Sequence, residues 1–211
     1  MQFIAMLTML IDHVGYLFFP EYPIFRWIGR LAMPLYAYGI AVGYRRTANM
    51  TRYMLRLGII AVLAQWPYML AFHTTTINIV GTFLFALGVL WVIGRIPLLV
   101  GKVAVVAVAV VLLEVLPFEY GGYALLLVLI YYFASLQWML PAHVGLNLIF
   151  IFYKGWIMAM ASAASSAILS LYPEFAGWGR RFIPRWLWLA FYPAHLLFLV
   201  LLRYAFTFLF N

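Results

Sequence analysis

The sequence predicts an all-α fold, a polytopic bundle of about nine membrane helices forming one domain across residues 1–211. Three observations lead there. The chain is 68% hydrophobic and 9% charged with a mean hydropathy of +1.06, whereas a soluble domain is roughly 25% charged. Apolar runs close to the ~20 residues needed to cross a bilayer recur between clusters of charge, proline and glycine. The basic residues are also sorted toward alternate connections, as the positive-inside rule requires.

The expected spans lie near 1–19, 24–43, 53–73, 77–94, 97–116, 122–138, 142–156, 157–172 and 186–209. The first has nothing positive before Asp12 and no small-x-small cleavage site, so it reads as a retained helix and not a signal peptide. Arg45, Arg46, Arg52 and Arg56 separate the second span from the third, and Arg95 and Lys102 flank the turn between the fourth and fifth. In the seventh, Pro141 and the stretch from His143 to Lys154 predict a short segment, broken or re-entrant. Arg180, Arg181 and Arg185 precede the last span.

With nine spans, all three basic clusters fall on one side. The opposite loops hold Glu21, His73, Glu114, Glu119 and Lys154, and of the arginines only Arg26. The N-terminus is therefore expected in the cytoplasm and the C-terminus outside. Trp27, Trp138, Trp156, Trp178 and Trp186 fall near span ends, where amphipathic rings settle.

Several function classes drop out. Without cysteine the chain has no disulfide, no thiol nucleophile and no thiolate metal site. Its net charge of +8 points to membrane topology and not to nucleic acid. No internal repeat of the kind many transporters carry is visible. Two His and an Asp are possible metal ligands, but their spacing matches no metal motif, so no metal is expected.

The residues that call for a function lie inside the apolar runs. Asp12 and His13 sit in the first span, Arg30 in the second and His195 in the last. An ionisable group in hydrocarbon costs at least ~2.5–3.5 kcal/mol on insertion scales and by default marks a site. At a rise of ~1.5 Å per residue, His13 lies about 18 Å from the cytoplasmic end, and Arg30 about 9 Å below the outer interface. His195 lies about 14 Å up from the cytoplasmic end, so all four groups come within reach of one level. Pro34 and Pro193 each leave a carbonyl unpaired near this level, those of Arg30 and Leu189. Asp12 is expected to pair with Arg30, and Tyr16, one turn on, can hydrogen-bond Asp12. His73 and His143 are expected at the membrane interface, and Ser162, Ser165 and Ser166 on a small-residue packing face.

Three motifs carry a resemblance. IAMLTMLIDHVGYLFF, then FRWIGRLAMPLYAYGIAVGYRRT, and FYPAHLLFL near the C-terminus are together similar to the TraX family. The stretch between them, including Asn78 in INIVGTFLFALG, matches less distinctively. The family's namesake acetylates the N-terminus of pilin, and the family resembles a wider group of integral-membrane acyltransferases that use cytoplasmic acyl-CoA.

The resemblance implies acetyl transfer from acetyl-CoA to an acceptor amine or hydroxyl, with His13 matching the proposed catalytic histidine and Arg30 an arginine of the second helix. The acceptor would be a pilin-like peptide N-terminus or an envelope glycan. Arg45, Arg46, Arg52 and Arg56 would hold the CoA phosphates. His13 would act as general base or carry the acetyl group, Arg30 would stabilise the oxyanion, and Asp12 or His195 would set the His13 tautomer. The alternatives are a proton-coupled transporter and a non-catalytic assembly factor of the membrane.

Overall fold

The computed structural model describes residues 1–177 and 183–210, without the side chains of Arg185, Leu209 and Phe210; Trp178, Arg180 and Arg181 lie outside the described residues. The helices are α1 (Gln2–Phe18), α2 (Pro23–Gly29), α3 (Ala32–Arg46), α4 (Met50–Phe72) and α5 (Ile79–Ile93). They continue as α6 (Leu99–Val115), α7 (Gly121–Phe133), α8 (Leu136–Lys154), α9 (Ala163–Leu171) and α10 (Arg185–Phe210). Short 3-10 turns at Ile157–Ser162 and Pro173–Gly177 precede and follow α9. The β pairing among the described residues is a single isolated bridge, Ile77 to Phe118.

The molecule is a helical membrane bundle. Met50–Phe72, Leu136–Lys154 and Trp186–Phe208 are long and apolar enough to cross a bilayer, and α1, α5, α7 and Ile157–Leu171 are apolar but shorter. Large apolar side chains such as Val62, Val100 and Phe152 stand exposed on the outside, which only a lipid solvent tolerates in such number. Inside, Ala5, Ala37, Ala64, Ala86 and Ala124 are fully buried. Small residues let helix backbones approach closely, which drives packing where lipid weakens the hydrophobic effect.

Helix α1 packs on α2, α3 and α10, while α4 packs on α5 and α10. Helix α7 is central, in contact with α3, α5, α6 and α8. The α4–α5 turn is locked by Asn78, whose side chain accepts from the N–H groups of Val80 and Gly81. The same side chain donates to Ala61 O and Gln65 Oε1, both at 2.8 Å.

Three expectations about the spans are corrected. The second span is two helices, because the ladder breaks at Arg30 and Leu31. Pro34 has no N–H for the Arg30 carbonyl, and the Leu31 carbonyl takes the Ser165 hydroxyl at 2.9 Å. The seventh is neither short nor broken: α8 runs unbroken from Leu136 to Lys154 with Pro141 inside it. Pro141 sits in the second turn, so the carbonyl it leaves unpaired, that of Gln137, lies in the first turn near the helix end. The sixth segment ends at Phe133, earlier than expected, since the backbone turns extended at Ala134 and Ser135 begins α8.

Candidate functional site

A cavity of about 480 Å³ runs inside the bundle, walled by α1, α3, α4, α5 and α10. Helix α3 supplies one wall along its whole length through Ala32, Tyr36, Gly39, Gly43 and Arg46. From Ala32 to Arg46 the helix axis covers about 21 Å. The mouth is formed by Met1, Arg46, Tyr53, Pro173 and Gly177, and the floor by Asp12, His13, Glu119 and Tyr120. Tyr53 closes on α3 at Gly43, where a Cβ would overlap its hydroxyl. The N-terminal ammonium donates to Phe175 O at 3.1 Å, which ties the start of the chain to the mouth.

His13 and His195 meet although 182 residues separate them. His13 Nδ1 lies 2.8 Å from His195 Nε2, and His195 Nδ1 lies 2.7 Å from Phe191 O. A carbonyl only accepts, so His195 carries its hydrogen on Nδ1. Among the described residues no carboxylate is paired with either ring, and in the neutral ring His195 Nε2 then accepts from His13 Nδ1–H. That leaves His13 Nε2 with the free lone pair, on the one ring of the two that lines the cavity. His195 therefore sets the His13 tautomer; Asp12 does not.

Asp12 pairs with Arg26 and not with Arg30, as the sequence suggested. Arg26 Nη1 donates to Asp12 Oδ2 at 2.7 Å. Gly29 makes room for this arrangement, because a Cβ there would overlap the Asp12 carboxylate. Tyr16 lies under the Arg26 guanidinium, 5.2 Å from ring centre to Cζ, and leaves Asp12 Oδ1 buried without a hydrogen-bond partner.

Arg30 reaches the cavity through a second residue. Its Nη1 donates to the Tyr120 hydroxyl at 2.9 Å, and its Nε is buried without a partner. Tyr120 lines the floor and is held at φ +62°, a conformation rare for a residue with a Cβ. Strain of this kind persists where the surrounding structure enforces it, and it gathers at functional sites. Tyr36, stacked on Trp188, also lines the cavity, with a buried hydroxyl that lacks a partner.

The arginine cluster divides. Arg46 lines the mouth. Arg45 turns away to α7, donating to the Tyr132 carbonyl and lying over that ring. Arg56 lies over the Tyr53 ring, and Arg52 is exposed beside the Asn49 cap of α4.

His143, expected at an interface, is fully buried mid-helix. Its Nδ1 is 2.6 Å from Ser166 Oγ, and its Nε2 is 3.0 Å from both the Tyr123 hydroxyl and Ser162 Oγ. Asn147 completes the group by accepting from Tyr123 at 2.7 Å. Ser162 and Ser166 thus lie on a packing face, as expected, and knit α7, α8 and α9 together. His73 does lie at a helix end, 3.2 Å from Arg203, which joins Arg26 among the arginines at that end of the bundle.

Glu119 and Tyr120 were missed as site residues because they fall in a short connection that reads as an outer loop. The sequence signal was slight, an acidic residue beside Tyr120-Gly121-Gly122 at the start of an apolar run. No curated protein and no solved structure matches the chain. The family model described as TraX protein matches residues 1–203, and the chain belongs to the TraX family.

Proposed function

We propose that this protein is an integral-membrane acyltransferase that moves an acetyl group from cytoplasmic acetyl-CoA to an acceptor amine or hydroxyl. The observation that carries the reading is the cavity of about 480 Å³ lined from Arg46 to His13, along which a pantetheine arm would extend. Arg46 at the mouth would meet the CoA phosphates by charge-assisted hydrogen bonds. The thioester would then reach the floor, lined by Asp12, His13, Glu119 and Tyr120.

His13 Nε2 is the base. It takes the proton from the acceptor nucleophile and returns it to the departing thiolate, while His195 holds the ring in the tautomer that keeps Nε2 unprotonated. Transfer through an acetyl-imidazole on the same nitrogen uses the same geometry. As the carbonyl oxygen gains charge, the Tyr120 hydroxyl donates to it. Arg30, behind Tyr120, strengthens that donor and replaces the direct oxyanion contact expected from sequence.

The membrane in this reading is the bacterial inner membrane, crossed several times with the N-terminus in the cytoplasm. The sorted arginines support that orientation, and acetyl-CoA is available on that side. The acceptor carries a free amine or hydroxyl, as a pilin-like peptide N-terminus or an envelope glycan does.

The test is direct. Purified protein should gain thermal stability with acetyl-CoA in a concentration-dependent way. His13→Ala should keep that stabilisation and lose acetyl transfer. A protein that ignores acetyl-CoA would favour a proton-coupled carrier instead.

A further inference from the structure

Glu119 lies in the connection 116–120, outside the helices, yet its side chain lines the cavity floor with Asp12, His13 and Tyr120. Its backbone is pinned from both directions. Ile77 N–H donates to Pro117 O at 2.7 Å, Glu119 N–H donates to Ile77 O at 2.9 Å, and the Thr82 hydroxyl donates to Glu119 O at 2.8 Å. The carboxyl group is held as well, since Oε2 accepts the Ile79 N–H at 2.8 Å. A carboxyl group fixed this firmly on a cavity wall is placed to exchange protons with whatever occupies the cavity.

The chemistry proposed above leaves one proton without a destination. An acceptor that arrives as an ammonium ion has three N–H bonds, and the amide product keeps one. One of the two protons released ends on the CoA sulfur through His13. A second group must take the other. A hydroxyl acceptor releases a single proton and needs no such group.

We propose that Glu119 is this second proton acceptor, a catalytic residue specific to amine acceptors; the inference rests on the acyltransferase reading. The balanced step takes an ammonium, the thioester and the Glu119 carboxylate to the amide, the free CoA thiol and the Glu119 carboxylic acid. The C–S bond breaks and the C–N bond forms. Afterwards the acid returns its proton to water entering the cavity.

The surroundings suit the role. Burial pushes the Glu119 carboxyl up to about 7, against the opposing pull of the Ile79 N–H. The other charged or titratable groups facing it are Asp12 from α1, Arg26 from α2, Tyr68 from α4, Tyr192 from α10 and the adjacent Tyr120. A group of this strength accepts and releases a proton near neutral pH without a large driving force in either direction.

The experiment uses the full chain in nanodiscs with acetyl-CoA and two acceptors, a peptide with a free α-amino group and a small primary alcohol. Glu119→Gln should lower acetylation of the peptide about 100-fold near pH 6.5. The loss should shrink as the pH passes the α-amino pKa of about 8, where the amine arrives neutral. Transfer to the alcohol should fall far less and without that pH dependence, and Glu119→Asp should restore most of the neutral-pH rate on the peptide. A loss that is uniform across pH and acceptors, or no loss at all, overturns the proposal while leaving the acyltransferase reading intact. Wild-type activity on the alcohol alone does the same. Wild-type protein that transfers to neither acceptor overturns both. Without any variant, the infrared band of a protonated carboxyl should vanish across neutral pH in the wild type, and its absence also counts against Glu119.

Discussion

His13, His195 and the Phe191 carbonyl form a relay in which each hydrogen has one possible position, and the geometry yields a graded set of outcomes. His13→Ala removes the base and should abolish transfer with acetyl-CoA affinity nearly unchanged. His195→Ala leaves the base in place but frees its tautomer, so turnover should fall by ~10² with little change in KM. Transfer by folded His13→Ala at the wild-type rate would end this mechanism. Arg30 and Tyr120 act in series, which a double-mutant cycle can show. Tyr120→Phe and Arg30→Ala should each cost roughly 10² in kcat, and the double variant little more than either alone. Additive losses would mean that Arg30 contacts the substrate by its own route. Intramembrane charge singled out Asp12, His13, Arg30 and His195 from sequence alone, because the cost of burying such groups leaves few innocent reasons to keep them. Their partners were not legible: whether Asp12 meets Arg26 or Arg30 depends on a helix break and on room beside Gly29, neither of which periodicity reveals.

Among the helices, the break between α2 and α3 helps to position the cavity floor, and the His143 cluster ties α7, α8 and α9 together. Gly29 gives α1 the approach that places Asp12 beside Arg26, so Gly29→Ala should push the two helices apart. We expect lower thermal stability, weaker acetyl-CoA stabilisation and reduced transfer together, since Arg30 follows directly in the chain. The His143 cluster lies away from the cavity, and its removal should behave differently. His143→Ala takes one partner from each of the Ser166, Ser162 and Tyr123 hydroxyls, which keep Tyr131, the Ala159 carbonyl and Asn147, and it leaves a void in the core, a loss of about 2–5 kcal/mol. A clear drop in melting temperature with an unaltered pH profile of the remaining activity is the expected pattern; a changed profile would assign His143 to the chemistry. Helix positions were legible to within a few residues for most of the chain, because twenty-residue apolar runs leave little choice. Proline was the weak sign. Pro34 lies next to a break where the Ser165 hydroxyl takes the Leu31 carbonyl, whereas Pro141 is absorbed in the second turn of α8, where the carbonyl it frees is close to the helix end.

For the molecule as a whole, the cavity mouth lies at one end of the bundle, where Arg46 stands. Met1, Arg46, Tyr53, Pro173 and Gly177 meet there, so the N-terminus, the connection after α3 and the connection after α9 share one side. His73 and Arg203 meet at the opposite end, along with the C-terminal turns of α10. Such an arrangement goes with an odd number of crossings between the two termini, and in the orientation proposed above the mouth would face the cytoplasm. Cysteines introduced one at a time test this cleanly, because the chain has none of its own. Ala48→Cys and Gly177→Cys should react with a membrane-impermeant thiol reagent only after the inner face is opened. Glu21→Cys and Thr75→Cys should react from outside in intact cells. The same orientation ties donor binding to charge at the mouth. Arg46→Ala should weaken acetyl-CoA binding several-fold at low salt and much less at high salt, because contacts with phosphate are screened over a Debye length of about 10 Å at 0.1 M. Arg45→Ala, with its guanidinium already committed to Tyr132, should change binding less at either salt concentration. If Ala48→Cys and Gly177→Cys label from opposite faces, the mouth is not a single cytoplasmic opening, and the route for acetyl-CoA drawn here fails along with it.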